Sequence, residues 1–428
     1  MERSSKWSRR DLLGATLALA GAAPLIGCAT PGSGSSLGRV VVVGGGWGGA
    51  TAARYLRLWG GNVDVTLVER NPNFISCPIS NLVLGGHKQM TDITLPYTGL
   101  DALGVKRIQA EVVAIDAQAK EVRLADGRKL PYDRAVVSPG IDFMFNEVAG
   151  LEAPGAQDKI LHSWKAGPQT VALRRQLEAM RDGGVYALTI PKVPYRCPPG
   201  PYERTCMVAS YVKQFKPRSK VLVFDANPEI QSKKALFEKA FAEHYKGIVD
   251  YRPNSELKQV DAATLSAKFD FEDVKADVLN VVPPQRAADI ARSAGLVNMN
   301  NRWVGINWTT MESTAVPGIH VLGDATLAAP LMPKSGHLAN QHAKVAVAAI
   351  LQLLKGEPVN PAPVVANTCY SFVTAQDVIH VTTVHQYDAA EKTLKVAPGG
   401  GVSAAASQLE GRYALSWAQN VWADMLAT

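Results

Sequence analysis

Five cysteines occur in the 428-residue chain: Cys28, Cys77, Cys197, Cys206 and Cys369. Cys197 and Cys369 lie 172 residues apart in two conspicuous stretches that read as loops, Arg196-Cys197-Pro198-Pro199-Gly200-Pro201-Tyr202-Glu203-Arg204 and Asn367-Thr368-Cys369-Tyr370. Two readings stand side by side. One is a structural staple, or two unrelated thiols. The other is a redox disulfide beside an electron-accepting cofactor. A soft nucleophile such as HS⁻ would attack one sulfur, and the other would leave as a thiolate that hands on two electrons. Glu203 is a base for such a nucleophile, or an ion-pair partner of Arg204 or Arg196. Cys206 reads as a buried, inert thiol. No CxxC spacing is present, which excludes a zinc ribbon or thioredoxin-type motif, and without CxxCH this chain carries no covalent c-type haem. The histidines show no ligand spacing. His337 and His342 are five apart and do not stack on one helix face, so they read as polar residues beside a cofactor or on a surface.

A cofactor must be held by elements that bring these residues to it. Arg39 to Val43 is a β-branched run, followed by Gly44-Gly45-Gly46-Trp47-Gly48-Gly49, in which Gly44, Gly46 and Gly49 satisfy GxGxxG. A helix over Ala50 to Leu58 and a second strand over Val63 to Val68 follow, and Glu69 ends that strand. Glycines in this position let backbone N–H groups approach a pyrophosphate, and an acid after the next strand accepts hydrogen bonds from a ribose. Two later strand-turn segments favour FAD over NAD. The first ends in Ser138-Pro139-Gly140. The second ends in Gly323-Asp324-Ala325, where the Asp324 carboxylate is expected on the ribityl chain. Met332-Pro333-Lys334-Ser335-Gly336 then opens an apolar helix over His337 to Leu354. Its N-terminus and Lys334 either stabilise the negative charge of a reduced flavin or make an ordinary helix start.

A second glycine fingerprint is missing. The strand over Gly184 to Ile190 runs into Pro191-Lys192-Val193-Pro194, and prolines remove the N–H donors that a phosphate cradle uses. The middle of the chain is therefore expected to keep a dinucleotide-domain fold without binding nicotinamide. A redox cysteine pair of the kind found on the first FAD-domain helix of disulfide reductases is also absent; Cys77 stands alone there.

Apolar residues make up 47% and charged residues 19%, enough for a large core. The net charge of +7 is spread along the chain, without the basic and aromatic interleaving of a nucleic-acid surface, so no nucleic acid is expected. Ser8-Arg9-Arg10-Asp11-Leu12-Leu13 matches a twin-arginine export signal, and the apolar run to Ile26 is too short to span a bilayer. Export to the periplasm follows. Leu25-Ile26-Gly27-Cys28 resembles a lipobox, which would anchor Cys28 to lipid; cleavage after Ala23 or Ala29 is the alternative.

With these motifs quoted, the chain from about Arg39 onward resembles the flavoprotein subunits of flavocytochrome c sulfide dehydrogenases, relatives of the sulfide:quinone oxidoreductases. RCPPGPYER, Pro283-Pro284-Gln285-Arg286-Ala287 and Asn367-Thr368-Cys369-Tyr370-Ser371 carry the resemblance. It implies FAD joined covalently to Cys77, a redox disulfide between Cys197 and Cys369 near the flavin, and a separate c-type cytochrome subunit as electron acceptor.

The expected fold is α/β, with two doubly wound dinucleotide-binding-type domains and a small C-terminal α+β domain. The segments are an export signal at 1–28, a linker at 29–36, an FAD-binding domain split into 37–149 and 289–358, a middle domain at 150–288, and a C-terminal domain at 359–428. The expected activity is oxidation of sulfide to sulfur or polysulfide. The catalytic residues would be Cys197, Cys369, Glu203 and Lys334. Gly44, Gly46, Gly49, Glu69, Cys77, Pro139, Gly140, Gly323, Asp324, Lys334, Ser335 and Gly336 would hold the cofactor, and no metal is expected. Two other readings are a sulfide:quinone oxidoreductase, which would need an apolar membrane-binding surface over Tyr413 to Leu426, and a non-catalytic flavoprotein partner of a sulfur-oxidation system.

Overall fold

The computed structural model describes residues 36–428. The twin-arginine stretch, the lipobox-like Cys28 and nearly all of the linker lie outside the described residues. The chain enters through strand β1 (Arg39–Val43), whose four valines are at most 5% exposed. Helix α1 (Trp47–Gly60) follows, and its Gly- and Ala-rich first half is buried. Then come β2 (Asp64–Glu69), the short helix α2 (Ser80–Gly85), β3 (Lys106–Gln109) and β4 (Arg134–Val137). Unbroken apolar runs suit strands covered on both faces.

The middle of the chain forms a second sheet from β5 (Val185–Ile190), β6 (Lys220–Asp225), β7 (Val249–Arg252) and β8 (Val278–Val281), with helices α3 (Gly200–Phe215) and α4 (Lys234–His244) in the connections. Its order is β7-β6-β5-β8, all parallel. The chain then returns to the first sheet with β9 (Ile306–Asn307), β10 (Glu312–Ser313) and β11 (Ile319–Val321), giving the order β9-β10-β11-β4-β1-β2-β3. Strands β11, β4, β1, β2 and β3 are parallel neighbours, the order of a doubly wound dinucleotide fold, assembled from segments on both sides of the middle sheet.

Helix α5 (Gly336–Lys355) packs against α1. Ser335 caps it by accepting from the Leu338 amide at 3.1 Å. An antiparallel sheet of β12 (Val364–Phe372), β13 (Val378–Asp388) and β14 (Thr393–Val402) follows, with the terminal helix α6 (Gln408–Leu426). Cys369 therefore sits in a nine-residue strand, paired with Val381, and not in the loop expected from the sequence. Polar Asn367 and Thr368 disguised it, but Asn367 is itself buried, 1% exposed.

Candidate active site

The turn between β1 and α1 has the shape of a dinucleotide cradle. Gly44 has φ +93°, and a Cβ on it would stand 2.5 Å from the Ser138 carbonyl oxygen, so only glycine fits. A Cβ on Gly49 would stand 1.7 Å from the Gly44 carbonyl oxygen; this closeness seats the helix on the strand. A Cβ on Gly46 would meet nothing within 4 Å, which leaves that side of the loop open to a phosphate at the helix N-terminus. Glu69, at the end of β2, accepts from the Gly45 amide at 2.7 Å and the Asn71 amide at 2.8 Å, so its carboxylate also braces the loop. Pro139 and Gly140 follow β4 at the same edge of the sheet.

Asp324 follows β11 in a single 3₁₀ turn that starts at Gly323. Its Oδ1 is buried and without a hydrogen-bond partner, and burial pushes its carboxyl pKa up. A buried acceptor left unpaired is costly unless a ligand donor reaches it, as a ribityl hydroxyl would. The open glycine loop, the acid after the second strand and this orphaned carboxylate together fit FAD.

A cleft of about 950 Å³ opens beside Asp324 and contains Cys77, Cys197, Glu203, Lys334 and Cys369. Trp47 and Trp417 wall it, stacked with ring centroids 6.1 Å apart. Cys77 sits before α2 and accepts from Arg196 Nη2 at 2.9 Å and from the Ala166 amide at 3.4 Å. Burial opposes the charge of Arg196, but Cys77, Asp324 and Cys197 together outweigh it and raise its pKa. Gly336 leaves room for the Trp47 ring, 2.8 Å from where a Cβ would stand. Ser335 also donates to Asn367 Oδ1 at 2.7 Å, which joins α5 to β12.

Lys334 is 6% exposed. Its ammonium lies 3.7 Å from the centroid of the Trp303 ring and donates to the carbonyl oxygens of Asp324, at 3.0 Å, and Thr326. Burial brings its pKa down to about 7, against the pull of Asp324. Its own carbonyl accepts from the Cys197 amide at 2.8 Å and so fixes the cysteine turn to the approach of α5. His337 lines the cleft and accepts from the Thr368 amide at 2.9 Å; His342 is buried near Gly323. Burial keeps both imidazoles neutral, at pKa values of about 4 and about 3.

The fold brings Cys197 and Cys369 together. Both line the cleft and each shifts the other's titration, but both are free cysteines, and the disulfide expected between them is not formed in this structure. Cys197 adopts φ +58°, an uncommon conformation for a non-glycine residue, in the turn that leads into α3. Cys206 is fully buried, as expected.

Glu203, in the first turn of α3, is 9% exposed and points at the same pocket. It accepts from Asn81 Nδ2 at 2.7 Å and from the Phe372 amide at 2.9 Å. Burial raises its pKa in spite of these two donors. It forms no ion pair with Arg204 or Arg196, which corrects that alternative. Consecutive residues on a helix do not face each other. Arg204 turns instead to Asn81 Oδ1, Asn280 Oδ1 and the carbonyls of His162 and Ser163.

Sequence reasoning missed Lys233 and Trp303. Lys233 Nζ donates to the Cys369 carbonyl at 3.0 Å and to Ser371 Oγ at 2.8 Å. Gln231-Ser232-Lys233-Lys234 looks like a solvated basic turn, and no local pattern marks its lysine as buried. Among the described residues no group of three or more His, Cys, Asp and Glu could hold a metal ion.

In the middle sheet the acid after the second strand is Asp225, the counterpart of Glu69. It is fully buried and accepts from Tyr202 Oη at 2.6 Å, Tyr251 Oη at 2.9 Å and Asn227 at 2.7 Å. Its carboxylate is taken up by the protein itself.

Family models match three stretches of the chain. The central part of the sulfide dehydrogenase [flavocytochrome c] flavoprotein chain covers residues 170–283, the flavin-binding part of flavocytochrome c sulphide dehydrogenase covers 361–426, and a pyridine nucleotide-disulphide oxidoreductase model covers 38–181. A sulfide dehydrogenase [flavocytochrome c] flavoprotein chain from Chlorobaculum thiosulfatiphilum is 58% identical over 45 residues, which are 94% of that sequence and 10% of this one. Mitochondrial sulfide:quinone oxidoreductase of Mus musculus is 23% identical over 67% of this chain; the match spans 65% of the mouse protein. The solved sulfide:quinone oxidoreductase of Aquifex aeolicus superposes with a TM-score of 0.73 at 19% identity, over 90% of this chain and 91% of that one, and shares the fold.

Proposed function

We propose, from the premise that the chain belongs to the family of flavocytochrome c sulfide dehydrogenase flavoprotein chains, that it oxidises sulfide to sulfur or polysulfide and passes the electrons to a c-type cytochrome partner. The observation that carries this reading is that Cys197 and Cys369 line the same cleft as Asp324 and Cys77.

In its oxidised form the pair is a disulfide. HS⁻ attacks one sulfur; a new S–S bond forms as the old one breaks, leaving one cysteine as a persulfide and the other as a thiolate that carries the electron pair. Glu203, whose carboxylate is a stronger base for its raised pKa, takes the proton of H₂S beside the pair. Gly44, Gly46, Gly49 and Asp324 would hold FAD and Cys77 would tether it; bound there, it would supply the capacity to accept two electrons and release them singly. Arg196 keeps Cys77 in place for that tether, and Lys334 holds the Asp324 turn in register. Two one-electron deliveries to the acceptor balance each sulfide oxidised.

The cytochrome acceptor is taken from the flavocytochrome c family of the matching chains; Trp422 and Leu426 of α6 are buried and Trp417 walls the cleft, while Leu409 and Tyr413 on the same helix are exposed. No helix among the described residues is long and apolar enough to cross a membrane. The occupied Asp225 supports a middle domain that takes no nicotinamide. The twin-arginine stretch at Ser8 to Leu13 supports a periplasmic enzyme, where a lost flavin would be hard to replace and a thioether at Cys77 would prevent that loss.

The test is sulfide-dependent reduction of c-type cytochrome by the full chain, against a soluble quinone, with no NAD(H) added. Cytochrome reduction that collapses in Cys369→Ala is expected. Undiminished turnover in that variant removes the thiol pair from the mechanism, and quinone reduction alone moves the chain to the quinone-linked reading.

A further inference from the structure

Asp225 ends β6 as Glu69 ends β2, but it is fully buried. Its Oδ2 accepts from Tyr202 Oη at 2.6 Å and from Tyr251 Oη at 2.9 Å, and its Oδ1 from the Asn227 amide at 2.9 Å and Asn227 Nδ2 at 2.7 Å. A buried carboxylate is tolerated only when well hydrogen-bonded, and bonds to a charged acceptor are strong, so each of these donors is held firmly. Two of the donor residues lead to the cysteines. Tyr202 follows Cys197 at the start of α3, and its hydroxyl also accepts from the Gln231 amide at 3.2 Å. Gln231 comes just before Lys233, whose ammonium holds the Cys369 carbonyl at 3.0 Å and Ser371 Oγ at 2.8 Å. Asn227 Nδ2 donates to the Pro191 carbonyl at 3.0 Å, and its Oδ1 accepts from the Val193 amide at 3.1 Å. Those residues begin the segment that runs from β5 to Cys197. Tyr251 reaches the same carboxylate from β7, the edge strand of the middle sheet.

We propose that Asp225 is a positioning residue for the redox pair: through Tyr202 and Asn227 it fixes the turn that carries Cys197 against the loop that holds the strand of Cys369. This rests on the reading of Cys197 and Cys369 as that pair. The acid that takes a ribose in a nucleotide-binding sheet is here turned inward to another task. Cys197 belongs to the middle of the chain and Cys369 to β12, and both line the cleft. A disulfide accepts only a narrow range of separations and torsions, so looseness in either segment lowers the effective concentration of one thiol at the other. The Tyr202 hydroxyl is the junction of the two segments, since it donates to Asp225 and accepts from Gln231.

The experiment is anaerobic equilibration of the full-length holoprotein with mixtures of reduced and oxidised glutathione. One oxidised glutathione accepts the two electrons and two protons of the thiol pair, giving the Cys197–Cys369 disulfide and two reduced glutathiones. After an acid quench and alkylation, mass spectrometry counts the two cysteines as thiol or disulfide. Tyr202→Phe should shift the equilibrium toward the dithiol by between about two- and tenfold, within the worth of one hydrogen bond, while Tyr251→Phe, which removes a donor of the same kind from the same oxygen, should shift it by less than about twofold. Both variants should melt earlier and keep the flavin spectrum. A shift of less than about twofold in Tyr202→Phe, or an equal shift in Tyr251→Phe, reduces Asp225 to a brace for stability and overturns the proposal. If Tyr202→Phe does not fold, Asn227→Ser, which frees Pro191 and Val193, replaces it under the same two criteria. Neither sulfide nor a cytochrome enters the assay. An unaltered chain that never joins Cys197 to Cys369 overturns the reading of the pair and the proposal with it, whereas a pair that forms with an unmoved equilibrium in Tyr202→Phe overturns the proposal alone.

Discussion

The Nη2 of Arg196 lies 2.9 Å from the sulfur of Cys77, although 119 residues separate the two in sequence. The same guanidinium reaches the Trp164 carbonyl, so the middle domain holds in place the cysteine proposed as the flavin tether. The guanidinium fixes where that sulfur stands at the cleft wall. Acid-precipitated protein should therefore stay yellow, and Cys77→Ser should release its flavin into the supernatant. Arg196→Ala should slow attachment without unfolding the chain. Absorption of pellet and supernatant near the flavin bands reads both outcomes; flavin released equally from the unaltered protein would dismiss the thioether.

Gly49 and Gly46 separate packing from ligand binding. A Cβ on Gly49 collides with the Gly44 carbonyl at 1.7 Å, so Gly49→Ala must push α1 off the sheet. Overpacking of this kind costs about 1–3 kcal/mol or more, and the variant should both melt earlier and lose flavin. A Cβ on Gly46 meets no protein atom within 4 Å. Gly46→Ala should keep the melting behaviour of the flavin-free protein while weakening flavin retention. Thermal melts with and without added FAD separate the two.

The glycine loop could be read from the sequence because its spacing is a statement about the backbone. Gly44 and Gly49 are fixed by contacts within fifteen residues of β1 or by Ser138 at the end of the neighbouring strand. The ends of β1, α1, β2 and α5 fall within a few residues of expectation for the same local reason. The partners of Glu203 could not be read this way. Its neighbour Arg204 offered an obvious ion pair, yet the helical rotation sends the two side chains apart, and Asn81 and Phe372 come from distant segments. Lys233 was invisible for a related reason: its burial is created by β12, more than 130 residues later. The approach of Cys197 to Cys369 depends on distant segments meeting; the residues alone left a staple and a redox pair side by side, and the resemblance favoured the redox pair.

Glu203 should give turnover an acidic limb. Burial raises its pKa, so its base form is lost on acidification at a higher pH than an ordinary glutamate would show. Glu203→Gln should lower sulfide-dependent turnover by about a hundredfold, the range of a lost general base. The variant's remaining rate should follow only the ionisation of sulfide itself. Stability carries the opposite sign. A carboxyl whose pKa is raised by folding contributes fully below its unfolded value, about 4.3, and its contribution is lost as pH rises through the folded value. Glu203→Gln should therefore compare best with the unaltered chain at high pH. A pH–rate profile of unchanged shape in the variant would remove Glu203 as the base.

Asp424 ties the terminal helix to the body of the fold. Its carboxylate receives Tyr55 Oη, Asn340 Nδ2 at 2.8 Å and Lys344 Nζ at 2.9 Å, linking α6 to α1 and α5. Burial alone would raise its pKa, but these donors and the Lys344 charge hold it below the usual carboxylate value. With the folded pKa depressed, its contribution is present above the unfolded value of about 3.9 and is lost as pH falls through the folded one. Hydrogen bonds to a charged group are worth about 1.5–3 kcal/mol, so Asp424→Ala should cost about 2 kcal/mol near neutrality. That difference from the unaltered chain should begin to shrink below about pH 4 and be smallest once the pH is under the folded value, where the carboxylate is protonated in both states. Because α6 carries Trp417 into the cleft wall, the same variant should loosen Trp47 and Trp417 and shift the flavin absorption. Denaturant melts at neutral and acid pH, read beside the flavin spectrum, check the prediction, and an equal stability loss at both pH values would show that the carboxylate's charge has no part in it.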